Sequence, residues 1–249
     1  MLTKSQVKYI QSLNDKKFRK DYGVFVAEGP KIINEILVNS TIEPVALYAT
    51  SEWWQQHKVV KNSLPLSMFY EIEEQELEKI SLLSTPNQVV GIFKQPVFSS
   101  NISLKNNLTI LLDGIQDPGN LGTIIRIADW FGIPQIIASK DSVDVYNPKV
   151  VQSTMGSITR IKIVYEDLRD FIVKQKDIML YASVLNGKPL SSFGKIKEGM
   201  LLIGNESKGI NEALLKLANY HITIPRIGQA ESLNAAVATG IILSQIVSV

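Results

Sequence analysis

Apolar residues recur with two different spacings along the chain, and the change of spacing divides it. Val7, Ile10 and Leu13 lie on one face of a helix over Thr3–Leu13, and Ile32, Ile33, Ile36 and Leu37 predict a second over Pro30–Val38. Between them GVFVAEG is a short β-rich run. EPVALYAT, PLSMFYEI and QVVGIFK supply three further strands, with a helix in the acidic EIEEQELEKISLL before the last. These elements make a small α/β unit over residues 1–97, and the serine and asparagine that follow suggest a linker at 98–107.

From Leu108 the pattern becomes LTILLDGI, PQIIAS, RIKIVYE, IMLYASV, GMLLIG and HITIPR, for the most part continuous apolar runs rather than alternating ones. Such runs mark strands covered on both faces, so the domain over 108–249 is expected to be α/β with a mostly parallel sheet. The final stretch, LNAAVATGIILSQIVSV, is apolar on nearly every side and should pack into a core or against a partner subunit. No internal repeat or low-complexity tract interrupts the chain.

Composition narrows the chemistry. The chain of 249 residues is 45% apolar and 20% charged, enough for two folded domains each with its own core. The start lacks the apolar stretch of a signal peptide and no run is long enough to span a bilayer, so a cytoplasmic location away from membranes is expected. There is no cysteine, which excludes disulfides, thiolate metal sites and cysteine nucleophiles. His57 and His221 are the only imidazoles, too few for a histidine metal cluster, and no metal is expected. Net charge is only +2, but the first 31 residues hold seven lysines and arginines against three acids. A charge run such as NDKKFRKDYG is by itself an ordinary solvated helix end; a polyanionic partner gives it a second meaning.

Three polar loops follow strands, where ligands collect in parallel sheets. In DPGNLGTIIR, Pro118 and Gly119 suggest a type II turn, with Asn120 capping the next helix and Thr123, Arg126 and Trp130 together on its polar side. An arginine beside a glycine-rich loop is an ordinary surface ion pair or a phosphate clamp. The second loop, LLIGNESKGI, has glycines at 199 and 204 with Walker spacing, but Asn205 and Glu206 stand where lysine and serine or threonine belong. No GxGxxG follows a strand either, so neither nucleotide fingerprint is complete. Glu206 alone reads as a cap for a helix starting near Asn211. The third, IPRIGQAESLNAAVATG, places Ser232 and Asn234 at a helix start, where Ser232 reads as the N-cap.

Together, in this order, DGIQDPGNLGTIIRIADWFG, LLIGNESKGI and IPRIGQAESLNAAVATGI resemble the three signature motifs of the SpoU (TrmH-type) RNA 2'-O-ribose methyltransferases of the SPOUT superfamily. Ser12–Leu37 also resembles the N-terminal substrate-binding domain common in that family. The resemblance implies a trefoil knot in the C-terminal domain, homodimerisation through that domain, S-adenosylmethionine as cofactor, and RNA as substrate, ribosomal before transfer RNA. It places catalytic roles on Arg126, Asn120, Glu206, Ser232 and Asn234, cofactor contacts on Gly204, Ile224, Leu233, Ala182 and Ser183, and RNA contacts on Lys16, Lys17, Arg19 and Lys20. Methyl transfer to a ribose hydroxyl is an in-line displacement, so alignment is the main requirement. Arg126, which stays protonated, is expected to hold a 3'-side phosphate rather than accept the hydroxyl proton. Asn120 and Asn234 would hold loop backbone and ribose, Glu206 would tie the loops, and Ser232 would contact phosphate or hydroxyl. The alternatives are a non-catalytic RNA-binding or ribosome-assembly protein that kept the fold and, more remotely, a nucleotide-dependent α/β enzyme.

Overall fold

Thr3 opens the chain's first helix: its hydroxyl accepts the Gln6 amide, and the Gln6 side chain accepts the Thr3 N–H at 2.9 Å. The computed structural model describes residues 1–39, 42–58, 65–97 and 102–247, so residues 98–101 of the expected linker and the last two of the apolar C-terminal stretch fall outside it. Helices α1 (Lys4–Ser12) and α2 (Lys16–Tyr22) lead into β1 (Val24–Glu28), α3 (Pro30–Asn39), β2 (Pro44–Ala49), α4 (Ser51–Gln56), β3 (Phe69–Glu71), α5 (Glu74–Ile80) and β4 (Val89–Lys94). The strands form a sheet ordered β1-β4-β2-β3, in which β4 runs antiparallel to both neighbours and β2 pairs with β3 in parallel. Ile10 of α1, its C-cap Leu13, and Leu77 and Ile80 of α5 bury against the sheet residues Val24, Val26, Tyr48 and Ile92. The apolar stripe of α3, Ile32, Ile33 and Ile36, is also fully buried.

The chain forms two compact units, and the first contains Asp144–Thr159 as well as Met1–Phe98. Within that added segment lies α7 (Pro148–Thr154), which packs on β1, while the Tyr146 ring stacks on Phe25 with centroids 5.1 Å apart. Burial drives the Tyr146 phenol far above its ordinary range, with the Asp144 charge adding to it. Asp144 also pairs with Arg19, whose guanidinium donates to the Leu13 and Asn14 carbonyls at 2.9 and 2.8 Å. Arg19 is only 2% exposed. It therefore does not join Lys16, Lys17 and Lys20 as a surface cation: the expectation that it contacts RNA is corrected here, because its charge and donors are consumed inside the unit.

The second unit, Ser99–Val143 with Arg160–Val249, is built on six strands in the order β10-β8-β9-β5-β6-β7, every neighbouring pair parallel. These are β5 (Leu108–Asp113), β6 (Gln135–Ser139), β7 (Lys162–Glu166), β8 (Leu180–Pro189), β9 (Gly199–Gly204) and β10 (Tyr220–Thr223), the six expected from the apolar runs. Helices α6 (Pro118–Trp130), α8 (Leu168–Lys174), α9 (Glu212–Leu215) and α10 (Ala235–Ile246) connect or cover them. In α6, Leu121, Ile124, Ile125 and Ala128 are buried, while Thr123, Arg126 and Trp130 face solvent. The C-terminal helix α10 buries Ala235, Ala236, Thr239, Ile242, Leu243 and Ile246 and packs on α6. At their crossing a Cβ on Gly240 would meet the Ile127 Cδ1 atom at 3.5 Å, so the two helices are in close contact.

Because Arg19 neutralises a mostly buried carboxylate and satisfies two carbonyls, removing it leaves all three stranded. Arg19→Ala should lower the unfolding free energy by about 3 kcal/mol in urea titration. If stability were unchanged and only RNA affinity fell, the structural assignment of this arginine would be wrong.

Candidate active site

The six-stranded sheet reverses its winding between β5 and β9. From β5 the chain moves through α6 to β6 on one side, and from β9 it moves outward to β10 on the other. The crevice beyond the carboxyl ends of two such strands is where parallel sheets bind ligands. Asp113 and Gly204, the last residues of β5 and β9, sit opposite one another in register. The first two of the three polar loops thus start side by side.

Asp113 accepts the Asn211 N–H at 2.7 Å, which anchors the far end of the second loop. Burial pushes its carboxyl above the ordinary range and the Asp141 charge adds to this, while the Asn211 hydrogen bond works the other way. Asn205 donates its amide to the Gly114 carbonyl at 2.7 Å and accepts the Ser207 and Lys208 N–H groups, so one side chain shapes its own loop and ties it to the first. A reciprocal backbone pair between Asn205 and Gly209, at 3.0 and 2.9 Å, folds the loop back on itself. The fold-back brings Gly209 and the Ile210 nitrogen so near Gly204 that a Cβ there would collide with backbone. Gly204 is therefore required for loop closure, whatever it does for a ligand.

The helix after the first loop starts earlier than expected. Asp117, not Asn120, is the N-cap: its Oδ1 accepts the Asn120 N–H at 2.7 Å, and Pro118 takes the first helical position, where a missing N–H costs nothing. This frees the Asn120 side chain. Its Nδ2 donates to Glu206 Oε1 at 2.8 Å, and its Oδ1 accepts from Asn234 Nδ2 at 2.7 Å. One carboxamide thus joins all three loops. Asn234 itself caps α10, accepting the Ala236 and Val237 N–H groups at 2.9 and 3.2 Å. The expected cap, Ser232, is exposed and makes no hydrogen bond among the described residues, because the helix begins two residues later. Glu206 likewise caps nothing, since Asn211 caps α9 with its own side chain.

The other expected residues separate. Arg126 is exposed on α6 and has no hydrogen-bond or ion-pair partner among the described residues. Ala182 is wholly buried in the sheet core between Leu202 and His221, so its methyl faces protein and only its backbone is open to a ligand role. Ser183 begins the stretch 183–187 of β8 that has no partner on β10, and the Leu185 carbonyl in that stretch accepts the Thr223 hydroxyl at 2.9 Å. Ile224 is half-buried at the exit of β10, and Leu233 stands half in solvent just before Asn234. Between them the loop closes on itself through Arg226, which donates to the Ala230 carbonyl at 3.1 Å. Asp113 and Asp117 were not singled out from the sequence, and Asn205 and Asn211 were given no part in tying the loops. The Asp-Pro pair at 117–118 is the usual sign of an N-cap followed by N1 and was available to find Asp117.

Comparison with known proteins agrees with this geometry. The model of the SpoU rRNA Methylase family matches residues 107–244, and that of an MRM3-like substrate binding domain matches residues 4–91. The chain is 29% identical over 241 residues to a 23S rRNA (guanosine(2553)-2'-O)-methyltransferase, RlmP, of Bacillus subtilis, covering 96% of this chain and 94% of the relative. Among solved structures, a putative RNA methyltransferase of the TrmH family from Porphyromonas gingivalis superposes with a TM-score of 0.85 at 33% identity, over 98% of this chain and 97% of the other. An AdoMet-bound rRNA methyltransferase from Sinorhizobium meliloti gives a TM-score of 0.85 at 34% identity, over 98% and 94%. The first family match spans more than half of the chain and contains the three loops that meet at Asn120, and the chain belongs to the SpoU rRNA methylase family.

Proposed function

We propose that this chain is an S-adenosylmethionine-dependent RNA 2'-O-ribose methyltransferase acting on ribosomal RNA. The observation that carries the reading is the junction at Asn120, which holds three loops together at the sheet's switch point while Arg126 on the same helix has no side-chain partner among the described residues. Relatives named for 2'-O-methylation of 23S rRNA and a matched structure titled as AdoMet-bound support the substrate and cofactor.

The residues around the loops fit such a cofactor. Leu185, Ile227 and Leu233 are exposed apolar side chains on the segments that follow Ser183 and Ile224, as an adenosine moiety requires. When bound, S-adenosylmethionine supplies an electrophilic methyl group on a sulfonium. Gly204, Ile224, Leu233 and the Ala182–Ser183 backbone would contact it. Arg126 grips a phosphate next to the target ribose and orients the 2'-hydroxyl, its planar fork matching two phosphate oxygens. The proton leaves to that phosphate or to water, because a guanidinium does not accept it. Glu206, Asn120 and Asn234 fix the loops, and Ser232, whose hydroxyl has no partner among the described residues, is free to meet phosphate or ribose.

The first unit serves RNA through α2. Lys16, Lys17 and Lys20 are exposed there, and Phe18 and Tyr22 stack at 6.4 Å with their planes 17° apart. Lysines beside open aromatic faces suit a single-stranded or looped RNA. We also assign to this protein the knotted C-terminal domain and the homodimer implied by its resemblance to the family, and a cytoplasmic location. Trp130 and Val237, exposed on the packed helices α6 and α10, offer apolar surface for that dimer.

Incubation with tritiated S-adenosylmethionine and total RNA should label ribosomal RNA; binding without label would favour the non-catalytic alternative. Arg126→Ala should slow single-turnover methylation roughly 100- to 1000-fold while leaving cofactor affinity within about twofold. Asn120→Ala, which unties three loops, should instead weaken cofactor binding roughly tenfold by calorimetry. Replacing Lys16, Lys17 and Lys20 with alanine should reduce the slope of log affinity for RNA against log salt by about 2 to 3. An unchanged slope would remove α2 from the interface.

A further inference from the structure

Away from the three loops, the second unit has a cavity of about 440 Å³ lined by Tyr181, Lys188, Ser192, Phe193, Lys195 and Tyr220 among others. Its volume lies within the range of small-molecule sites. Tyr181 and Tyr220 face one another in register on the adjacent strands β8 and β10 and stack with centroids 5.2 Å apart and planes at 16°. Phe193 meets both rings edge-on, at 6.1 and 5.7 Å. The trio is not closed to solvent: Tyr220 keeps 37% of its surface exposed and Phe193 is half-buried.

The polar lining is cationic or neutral, with no carboxylate among the lining residues. Lys195 donates to the Val247 carbonyl at 2.7 Å and so is partly committed to the end of α10. Lys188 is exposed and its side chain has no hydrogen-bond or ion-pair partner among the described residues, with the exposed Ser192 also in the lining. An aromatic wall with a free ammonium selects a ligand that is flat at one end and anionic at the other. A cation is repelled by the lysines, and a purely apolar ligand leaves Lys188 unused.

We propose that this cavity binds one unstacked nucleotide of the RNA substrate, its base on the open face of Tyr220 and its phosphate at Lys188. The choice of RNA over a free nucleotide rests on the RNA-methyltransferase reading; the flat, anionic ligand class does not. Base stacking on an exposed ring is tolerant of sequence, so the site would add affinity and register rather than read a base.

The test uses the full-length protein and fluorescein-labelled 12-mers of oligouridylate and oligoadenylate in anisotropy titrations. Tyr220→Ala should weaken oligomer binding roughly tenfold. Tyr220→Phe should bind like the unaltered protein, and Lys188→Ala should lower the salt slope by about 1. Cofactor calorimetry on each variant keeps a folding defect distinguishable from a lost contact. As a direct readout, oligomers carrying 4-thiouridine should crosslink under ultraviolet light to Tyr220 or Phe193, located by mass spectrometry. Unaltered affinity in Tyr220→Ala and Lys188→Ala, or crosslinks confined to other segments, would overturn the proposal. AMP or UMP binding as tightly as the oligomers would overturn the assignment to RNA. Failure of the methyltransferase reading would show separately, as unlabelled RNA with tritiated cofactor, whatever the oligomers do.

Discussion

The site depends on the polarity of one side-chain amide. Glu206 is a carboxylate and can only accept, so the NH₂ end of Asn120 must face it. That leaves the Asn120 oxygen toward Asn234, which must then present its own NH₂ group and keep its oxygen for the N–H groups opening α10. Direction therefore runs from the second loop through the first and into the C-terminal helix, and reversing any amide would set donor against donor. Individual hydrogen bonds contribute only about 1 kcal/mol, somewhat more to a charged partner. Their value here lies in joining elements that the sheet alone does not hold together.

The sheet determines which elements need joining. Strands β5 and β9 are neighbours, so their loops are brought together by backbone pairing, and Asp113 and Asn205 only refine the fit. Strand β10 lies at the sheet's edge, three positions from β5, with β8 and β9 between them. Strand spacing of about 4.8 Å puts their ends some 14 Å apart. The residues between Thr223 and Asn234, at up to about 3.5 Å each, span that gap with slack to spare. Slack explains why this segment is exposed almost throughout and why a side-chain clasp, rather than a strand, fixes its end.

Much of this was legible in the sequence because the physical signals were local. The central strands of the second unit, β5, β6 and β9, were readable as continuous apolar runs, because both faces of the sheet are covered there. The polar side of α6 followed from helical spacing alone. Helix starts were less legible: Asp117, Asn120 and Asn234 are all competent caps, and Ser232 competes with Asn234 for the same role. Which residue wins depends on which side chain a distant loop recruits. Glu206 illustrates the difficulty, since its partner lies 86 residues away and nothing near it in sequence announces the contact. The placement of Asp144–Thr159 with the first unit was hidden for the same reason, being decided by Tyr146 on Phe25 and Asp144 on Arg19.

Arg19 and Arg126 show what separates a structural arginine from one available to a substrate. Arg19 follows Phe18 in the 7-residue α2 and Arg126 stands between isoleucines in the 13-residue α6. Arg19 meets a carboxylate 125 residues away and two carbonyls, so its charge is spent on the fold and an RNA phosphate would have to displace all three. Arg126 has no such partner among the described residues, and an internal carboxylate beside it would compete with any incoming phosphate. An arginine that must release its phosphate after each turnover works best when the free protein offers it only water. The lysines of α2 are less demanding, because attraction to a polyanion requires charge density rather than a fixed fork. Affinity for RNA can therefore be spread over an exposed basic helix, whereas the proposed orientation of a single ribose needs an arginine that, like Arg126, has no partner among the described residues.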